Sequence, residues 1–217
     1  MATTHGVMSD FCLKGENVHL WRGDHHVLRG VRFQVEGGQC LQLTGANGAG
    51  KTTLLRTACG LAYPEGGEIT WCGQSIRKDL HAFHAQLAYL GHEPPLKAEL
   101  TARENVLYWV GVRRRFGRHE LDQALERVGG DTWSDRPVRT LSAGQKRRAA
   151  LAALTLMRVP LWLLDEPTTN LDAEGQKLVG ALIDEHLQEG GVALAAVHHE
   201  LSLSAANGLQ RMELTVG

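Results

Sequence analysis

Apolar and polar positions alternate over short stretches in the first third of the chain. Val18 to Trp21, Val31 to Val35, Cys40 to Thr44 and Glu68 to Cys72 each read as a β-strand bounded by glycine or charge. The third run passes directly into Gly45 to Gly50 and then into a helical stretch from Lys51 to Cys59, giving strand, glycine loop, helix. From about Gly91 to Thr140 the period turns helical. Thr101-Ala-Arg-Glu104 forms a capping box before the apolar run Val106 to Val110. Leu121, Leu125 and Val128 then mark one face of a second helix that stops at Gly129-Gly130. Beyond Ser142 the order alternates: a helix to about Arg158, an apolar strand Leu161 to Asp165, a helix Ala173 to Glu189, an apolar strand Val192 to Val197. Near-continuous apolar strands between helices predict a parallel sheet covered on both faces, so the fold class is α/β with a helical insert in its middle.

Composition narrows the partners more than the fold. The 217 residues suit one domain, 43% hydrophobic and 22% charged, as in a globular protein. A formal net charge of -1 gives no global field that would attract nucleic acid, and none is expected as a partner. Cys12, Cys40, Cys59 and Cys72 show no metal or haem spacing and read as small buried hydrophobes. His25-His26 and His81 with His84 have no third ligand at a useful spacing. The basic clusters Arg113 to Arg115 with Arg118, and Lys146 to Arg148, read as solvated helix faces, with lipid phosphates or a partner's acidic loop as the alternative. No apolar run approaches the roughly 20 residues of a spanning helix. Met1 to Asp10 lack the basic start and apolar run of a secretory signal, so a cytoplasmic chain is expected, meeting any membrane only through partners.

Three strings carry chemistry. Gly45-Ala46-Asn47-Gly48-Ala49-Gly50-Lys51-Thr52 fits G-x-x-x-x-G-K-[ST] at every fixed position. Its glycines let successive N–H groups face phosphate oxygens, and the helix behind, through Thr53, adds its positive end. Lys51 is expected on the β- and γ-phosphates and Thr52 on Mg²⁺, making ATP and Mg²⁺ the expected ligands. Leu161-Trp-Leu-Leu-Asp165-Glu166 is an apolar strand ending in two carboxylates, the form of a Walker B element. Asp165 is expected to hold Mg²⁺ through its water shell and Glu166 to orient or deprotonate the attacking water. In Leu141-Ser142-Ala143-Gly144-Gln145, a serine and small residues at a helix start offer a hydroxyl, N–H groups and a dipole, a second anion site.

That third string resembles the LSGGQ signature of the ABC ATPase family, and the order Walker A, helical segment, signature, Walker B is the family's own. The resemblance implies a P-loop NTPase with a parallel, RecA-like core sheet and an N-terminal antiparallel β subdomain. A helical subdomain at about 91–158 would be inserted in that core, the whole forming one nucleotide-binding domain over 1–217. It also implies a homodimer in which Ser142, Gly144 and Gln145 of one copy close on the ATP held by the other. Asn170-Leu171-Asp172 resembles the D-loop, where Asp172 would couple the two sites. Val197 is followed by His198 and His199. Counting from Gly190 favours His198 as the switch histidine, and the spacing to Leu201 keeps His199 a rival. Two positions depart from the pattern: His92 stands where the Q-loop glutamine is expected near the metal, and Arg22, beside Trp21, stands where an aromatic would stack on adenine.

Tyr89-Leu90-Gly91-His92, Lys97-x-Glu99-Leu100-Thr101-x-x-Glu104-Asn105 and the Leu-Ser-Ala-Gly-Gln variant resemble the CcmA proteins. That resemblance implies the ATPase of a transport complex of cytochrome c maturation, exporting haem or releasing a haem-loaded chaperone. It would act on the cytoplasmic face of the bacterial inner membrane beside a CcmB-like protein, with a CcmC-like protein as a further candidate. Another small ABC exporter and a non-transport ABC ATPase remain as alternatives. A small P-loop kinase would suit the length and the phosphate loop, but the signature string Leu141 to Gln145 argues strongly against it.

Overall fold

The computed structural model describes residues 10–204 and 208–215; Met1 to Ser9, on which the absence of a signal was read, lie outside them. Two sheets organise these residues. The first is antiparallel, in the order β2 (His25–Glu36), β1 (Cys12–Arg22), β4 (Gly66–Trp71), β5 (Gln74–Ser75). The second is parallel throughout: β6 (Leu87–Leu90), β7 (Leu161–Asp165), β8 (Val192–Ala196), β3 (Cys40–Thr44), β9 (Leu209–Glu213).

The side-chain period of two explains why β7 and β8 are buried at every position. Leu161 and Leu163, with Val192, Leu194 and Ala196, point into one apolar cluster with Leu54 and Leu55 of α1 (Lys51–Ala58). Trp162 and Leu164, with Ala193 and Ala195, point into the other. That second cluster is filled from α3 (Ala102–Gly111), α4 (Arg118–Arg127), α5 (Ala143–Leu156) and α6 (Ala173–Gln188). The short α2 (Leu80–His84), capped by Asp79, precedes β6.

Several expectations shift. β1 and β2 are much longer than their apolar cores, because hairpin pairing across Gly23-Asp24 carries polar positions such as His25 and Arg22 into the ladder. Residues 91–100 are not helical. They form a loop fastened by Asn105, which accepts from Lys97 N at 2.7 Å and donates to the carbonyls of Lys97, Leu100 and Thr101. The edge strand β9, paired parallel to β3, carries no local apolar pattern that announces it. The cysteines divide: Cys40 and Cys59 are buried, Cys12 is half-buried and Cys72 is exposed at φ 50, just past β4.

The basic clusters are not simply solvated. Arg113 donates to the carbonyls of Leu87 (2.6 Å) and His84 (2.7 Å), and Arg114 donates to Leu156 O (2.5 Å) and Glu120 (2.6 Å). Arg147 is 2% exposed. These cations hold backbone carbonyls at element ends and in loops; those of His84 and Leu156 lie in last helical turns, which intrahelical bonding leaves unsatisfied. Among the described residues no helix is long and apolar enough to cross a membrane.

Candidate nucleotide-binding site

The chain leaves β3 at Thr44 and bends through Gly45 (φ 130), Gly48 (φ 83) and Gly50 (φ 97), backbone angles that L side chains rarely adopt. Space is equally restrictive at the first of these, where a Cβ would stand 2.2 Å from Leu214 O. Ala46, Asn47 and Gly48 are exposed at the crest of the loop, while Ala49 and Gly50 pack beneath it. Helix α1 begins at Lys51 with Gly50 as N-cap and no side-chain cap. Its first N–H groups are therefore left for an anion. Lys51 is buried to 6% exposure, and its Nζ donates to Gly45 O at 2.6 Å and Ala46 O at 3.1 Å. This holds the ammonium in the cradle. Thr53 is buried in the same turn, and Thr52 is exposed.

The carboxylates approach the cradle from β7. Thr52 Oγ1 donates to Asp165 Oδ1 at 3.0 Å, joining the two predicted metal oxygens. Glu166 follows in the left-handed region at φ 49, and its N–H donates to Ala196 O at 2.9 Å, which fastens the turn to β8. Its carboxylate is held at both oxygens. His198 Nε2 lies 2.6 Å from Oε1, His92 Nδ1 lies 3.3 Å from Oε2, and Thr169 Oγ1 donates to Oε2 at 3.1 Å.

The two adjacent acids consequently part company. Burial raises Asp165 above the usual carboxylate range, opposed by the Thr52 hydroxyl and reinforced by the Glu166 charge. Burial also pushes Glu166 up, but the Thr169 hydroxyl, His198 and His92 outweigh it, and the net direction is down. Tyr89, on β6, is pushed up to about 12 by burial and by the neighbouring Asp165 charge. The arrangement keeps Glu166 ionised, as a base must be.

His198 is thus the histidine brought to Glu166; His199 is exposed, with no hydrogen bond or ion pair among the described residues. His92 reaches Glu166 directly, whereas Thr52 and Asp165 face one another. Their hard oxygens fit Mg²⁺, which takes most of its remaining ligands from phosphate and water; among the described residues no group of three or more His, Cys, Asp or Glu forms a self-sufficient metal site.

Ser142 caps α5: its Oγ accepts from Gln145 N at 3.1 Å, and Gln145 Oε1 accepts from Ser142 N at 3.0 Å. Ser142 and Ala143 are exposed, but Gly144 passes so near the next loop that a Cβ would stand 2.8 Å from Asn170 O. The sequence therefore tolerates alanine at the first small position of the signature and glycine alone fits the second. Asp172 caps α6 through Gly175 N (2.8 Å) and pairs with Arg148 (3.0 Å).

At the far end of β1, Trp21 lies parallel to His26 with centroids 3.7 Å apart, and Arg22 is exposed at the hairpin. Sequence reasoning missed Thr169, Tyr89 and Arg147. A basic run so close to the signature was the one available signal for the last.

The chain resembles known proteins over most of its length. The ABC transporter family matches residues 28–169. The Methylococcus capsulatus protein named cytochrome c biogenesis ATP-binding export protein CcmA is 46% identical, covering 90% of this chain and 95% of that one. A Salmonella typhi protein of the same name is 41% identical, covering 94% and 98%. Among solved structures, an ABC transporter ATP-binding protein from Pyrococcus furiosus superposes with a TM-score of 0.81 at 25% identity, covering 94% of this chain and 97% of that one. The glycine cradle, the two carboxylates at the tip of β7 and the serine-capped α5 therefore occur in a chain that belongs to the ABC transporter ATP-binding family, among its CcmA-type members.

Proposed function

We propose that this chain hydrolyses ATP to energise a transport complex of c-type cytochrome biogenesis, and that it works as a homodimer. The observation that carries the reading is the convergence of Lys51, Thr52, Asp165, Glu166 and His198 at the carboxyl ends of β3, β7 and β8. Crevices outside the carboxyl ends of parallel strands are where open α/β sheets bind ligands. The backbone from Gly45 to Thr53 and the Lys51 ammonium bind the triphosphate. Thr52 and Asp165 would hold Mg²⁺, with His92 nearby, and that ion supplies charge neutralisation on the phosphate oxygens. Glu166, ionised and oriented by His198 and Thr169, takes the proton from the attacking water.

The cradle and the tip of α5 are two anion sites on different parts of one chain, which supports pairing with a second copy. Ser142, Gly144 and Gln145 of one copy would then meet the nucleotide of the other, with Asp172 beside the junction. The segment from about 91 to 158 serves as the lever toward membrane subunits, CcmB-like and, as a further candidate, CcmC-like. With no spanning helix of its own among the described residues, the chain meets the cytoplasmic face of the inner membrane through those subunits. The names of its relatives, cytochrome c biogenesis ATP-binding export protein, support an export step in that biogenesis; haem, or a haem-loaded chaperone, is the cargo inferred from the sequence resemblance.

Two variants test the reading in purified full-length protein. Lys51→Ala is expected to lose nucleotide binding or turnover. Glu166→Gln is expected to bind ATP normally, lose turnover by about 10²–10⁴-fold and accumulate as an ATP-loaded dimer in gel filtration. Unchanged hydrolysis in Lys51→Ala removes the assignment of the cradle, and a Glu166→Gln protein that stays monomeric with ATP removes the paired site.

A further inference from the structure

Arg147 lies on the first turns of α5, almost fully buried, and spends its whole hydrogen-bonding capacity on backbone. Nε donates to Pro167 O at 3.1 Å. Nη1 donates to Gly91 O at 2.6 Å and His92 O at 3.3 Å, and Nη2 donates to Asp165 O at 2.7 Å and Glu166 O at 2.6 Å. A guanidinium has five N–H donors in a rigid fork, and all of them are used here. Among the described residues no carboxylate is hydrogen-bonded or ion-paired to it. Burial lowers it to about 10, opposed by the charges of Asp165, Glu166 and Tyr89.

The five carbonyls belong to two separate loops, one carrying His92 and the other carrying Asp165 and Glu166. Both loops hold the imidazole and the carboxylate that meet at 3.3 Å. Glu166 is also at φ 49, a conformation that a non-glycine residue keeps only where its surroundings over-determine it. On the other side, Arg147 stands two residues after Gln145 of the capping box, on the rigid helix that Ser142 begins. Gly144 lies against Asn170 O in the loop just beyond. One side chain therefore bridges the serine-led helix tip and both strands of the hydrolytic site.

We propose that Arg147 is a positioning residue that ties the tip of α5 to the backbone of Glu166 and His92, so that a nucleotide gripping Ser142 sets the geometry of the hydrolytic carboxylate. This rests on the function proposed above and deepens it by naming the link between the second anion site and the base. Lysine in this place is not equivalent. Its three donors radiate from one point and cannot span both loops, although its charge is the same.

The test compares Arg147→Lys and Arg147→Met with wild type in full-length protein, reading kcat and KM for Mg-ATP, affinity for a fluorescent ATP analogue, and the thermal midpoint. Arg147→Lys is expected to fold and to bind nucleotide with unchanged KM while kcat falls about tenfold. In the Arg147→Lys background, adding Ser142→Ala is expected to lower kcat less than it does alone, because the link it acts through is already cut. A kcat within about twofold of wild type, or full additivity with Ser142→Ala, or equal losses in affinity, midpoint and kcat, overturns the proposal.

Hydrogen exchange on the wild-type chain decides the matter should both variants fail to fold. Mg-ATP is expected to protect the amides of residues 91–93, of Glu166, Thr168 and Thr169, and of residues 143–146 together, and independent protection overturns it. A wild-type protein inert toward ATP would instead remove the proposed function. Active wild type with an indifferent Arg147 removes only this link.

Discussion

Two adjacent histidines follow β8, and the structure distinguishes them sharply enough to work out what each is worth. His198 Nε2 stands 2.6 Å from Glu166 Oε1, whereas His199 points to solvent. A hydrogen bond to a charged group contributes about 1.5–3 kcal/mol. The His198 side chain is 41% exposed, so solvent screens the pair and the lower end applies, about 1.5 kcal/mol. If that interaction is realised in full only as the water is attacked, its loss lowers kcat by about tenfold. His198→Ala is therefore expected to lose about one decade of Mg-ATP turnover, measured as phosphate release at saturating ATP. Nucleotide affinity should hold, since Lys51 and the cradle are untouched. His199→Ala is expected to match wild type in both. Should the second variant lose the decade and the first keep full rate, the assignment of the histidine that orients Glu166 is wrong.

Two further predictions test neighbouring features. Gly144→Ala places a Cβ 2.8 Å from Asn170 O; overpacking of this kind is expected to cost about 1–3 kcal/mol in urea melts and to lower ATPase activity, and a stable, fully active variant would show that the two loops do not touch. His186 is buried against Trp162, with ring centroids 4.0 Å apart, and burial brings it down to about 4 from 6.5. The unfolded chain therefore takes up the proton first, so stability is expected to fall as pH drops from about 6.5 toward 4, by no more than about 3 kcal/mol from this group. His186→Gln is expected to flatten that part of the pH–stability curve, and an unchanged slope in the melts refutes the origin assigned to it.

Legibility in the sequence followed burial. β7 and β8 were readable because a strand covered on both faces must be apolar at every position, and the two clusters divide Leu161 and Leu163 from Trp162 and Leu164 accordingly. The cradle was readable because its glycines answer to backbone angles that other residues avoid. Edge strand β9, Leu-Gln-Arg-Met-Glu, was not. It is half-exposed, and its pairing partner β3 lies about 170 positions earlier, beyond any local pattern. Residues 91–100 read as helix because nothing local announces that Asn105 will bind three carbonyls behind it.

The arginines were misread for a related reason. A cation that satisfies carbonyls of distant loops looks, in one dimension, like a cation in water. Cys72 failed the burial rule because the turn after β4 turns it outward. At the site itself, the residue types were evident from the strings, but which histidine meets Glu166 depended on the exit angle of one strand.

The order of the parallel sheet has a consequence for altering this protein. Strand β8 lies between β3, which carries the cradle, and β7, which carries the acids. The separation of those two tips is thus about two inter-strand steps of roughly 4.8 Å each, gauged by amide ladders and not by side chains. Residues at the three strand ends could be exchanged to retune speed or metal preference while that ruler kept its length. Only a slip of register between β8 and its neighbours would change the calibration.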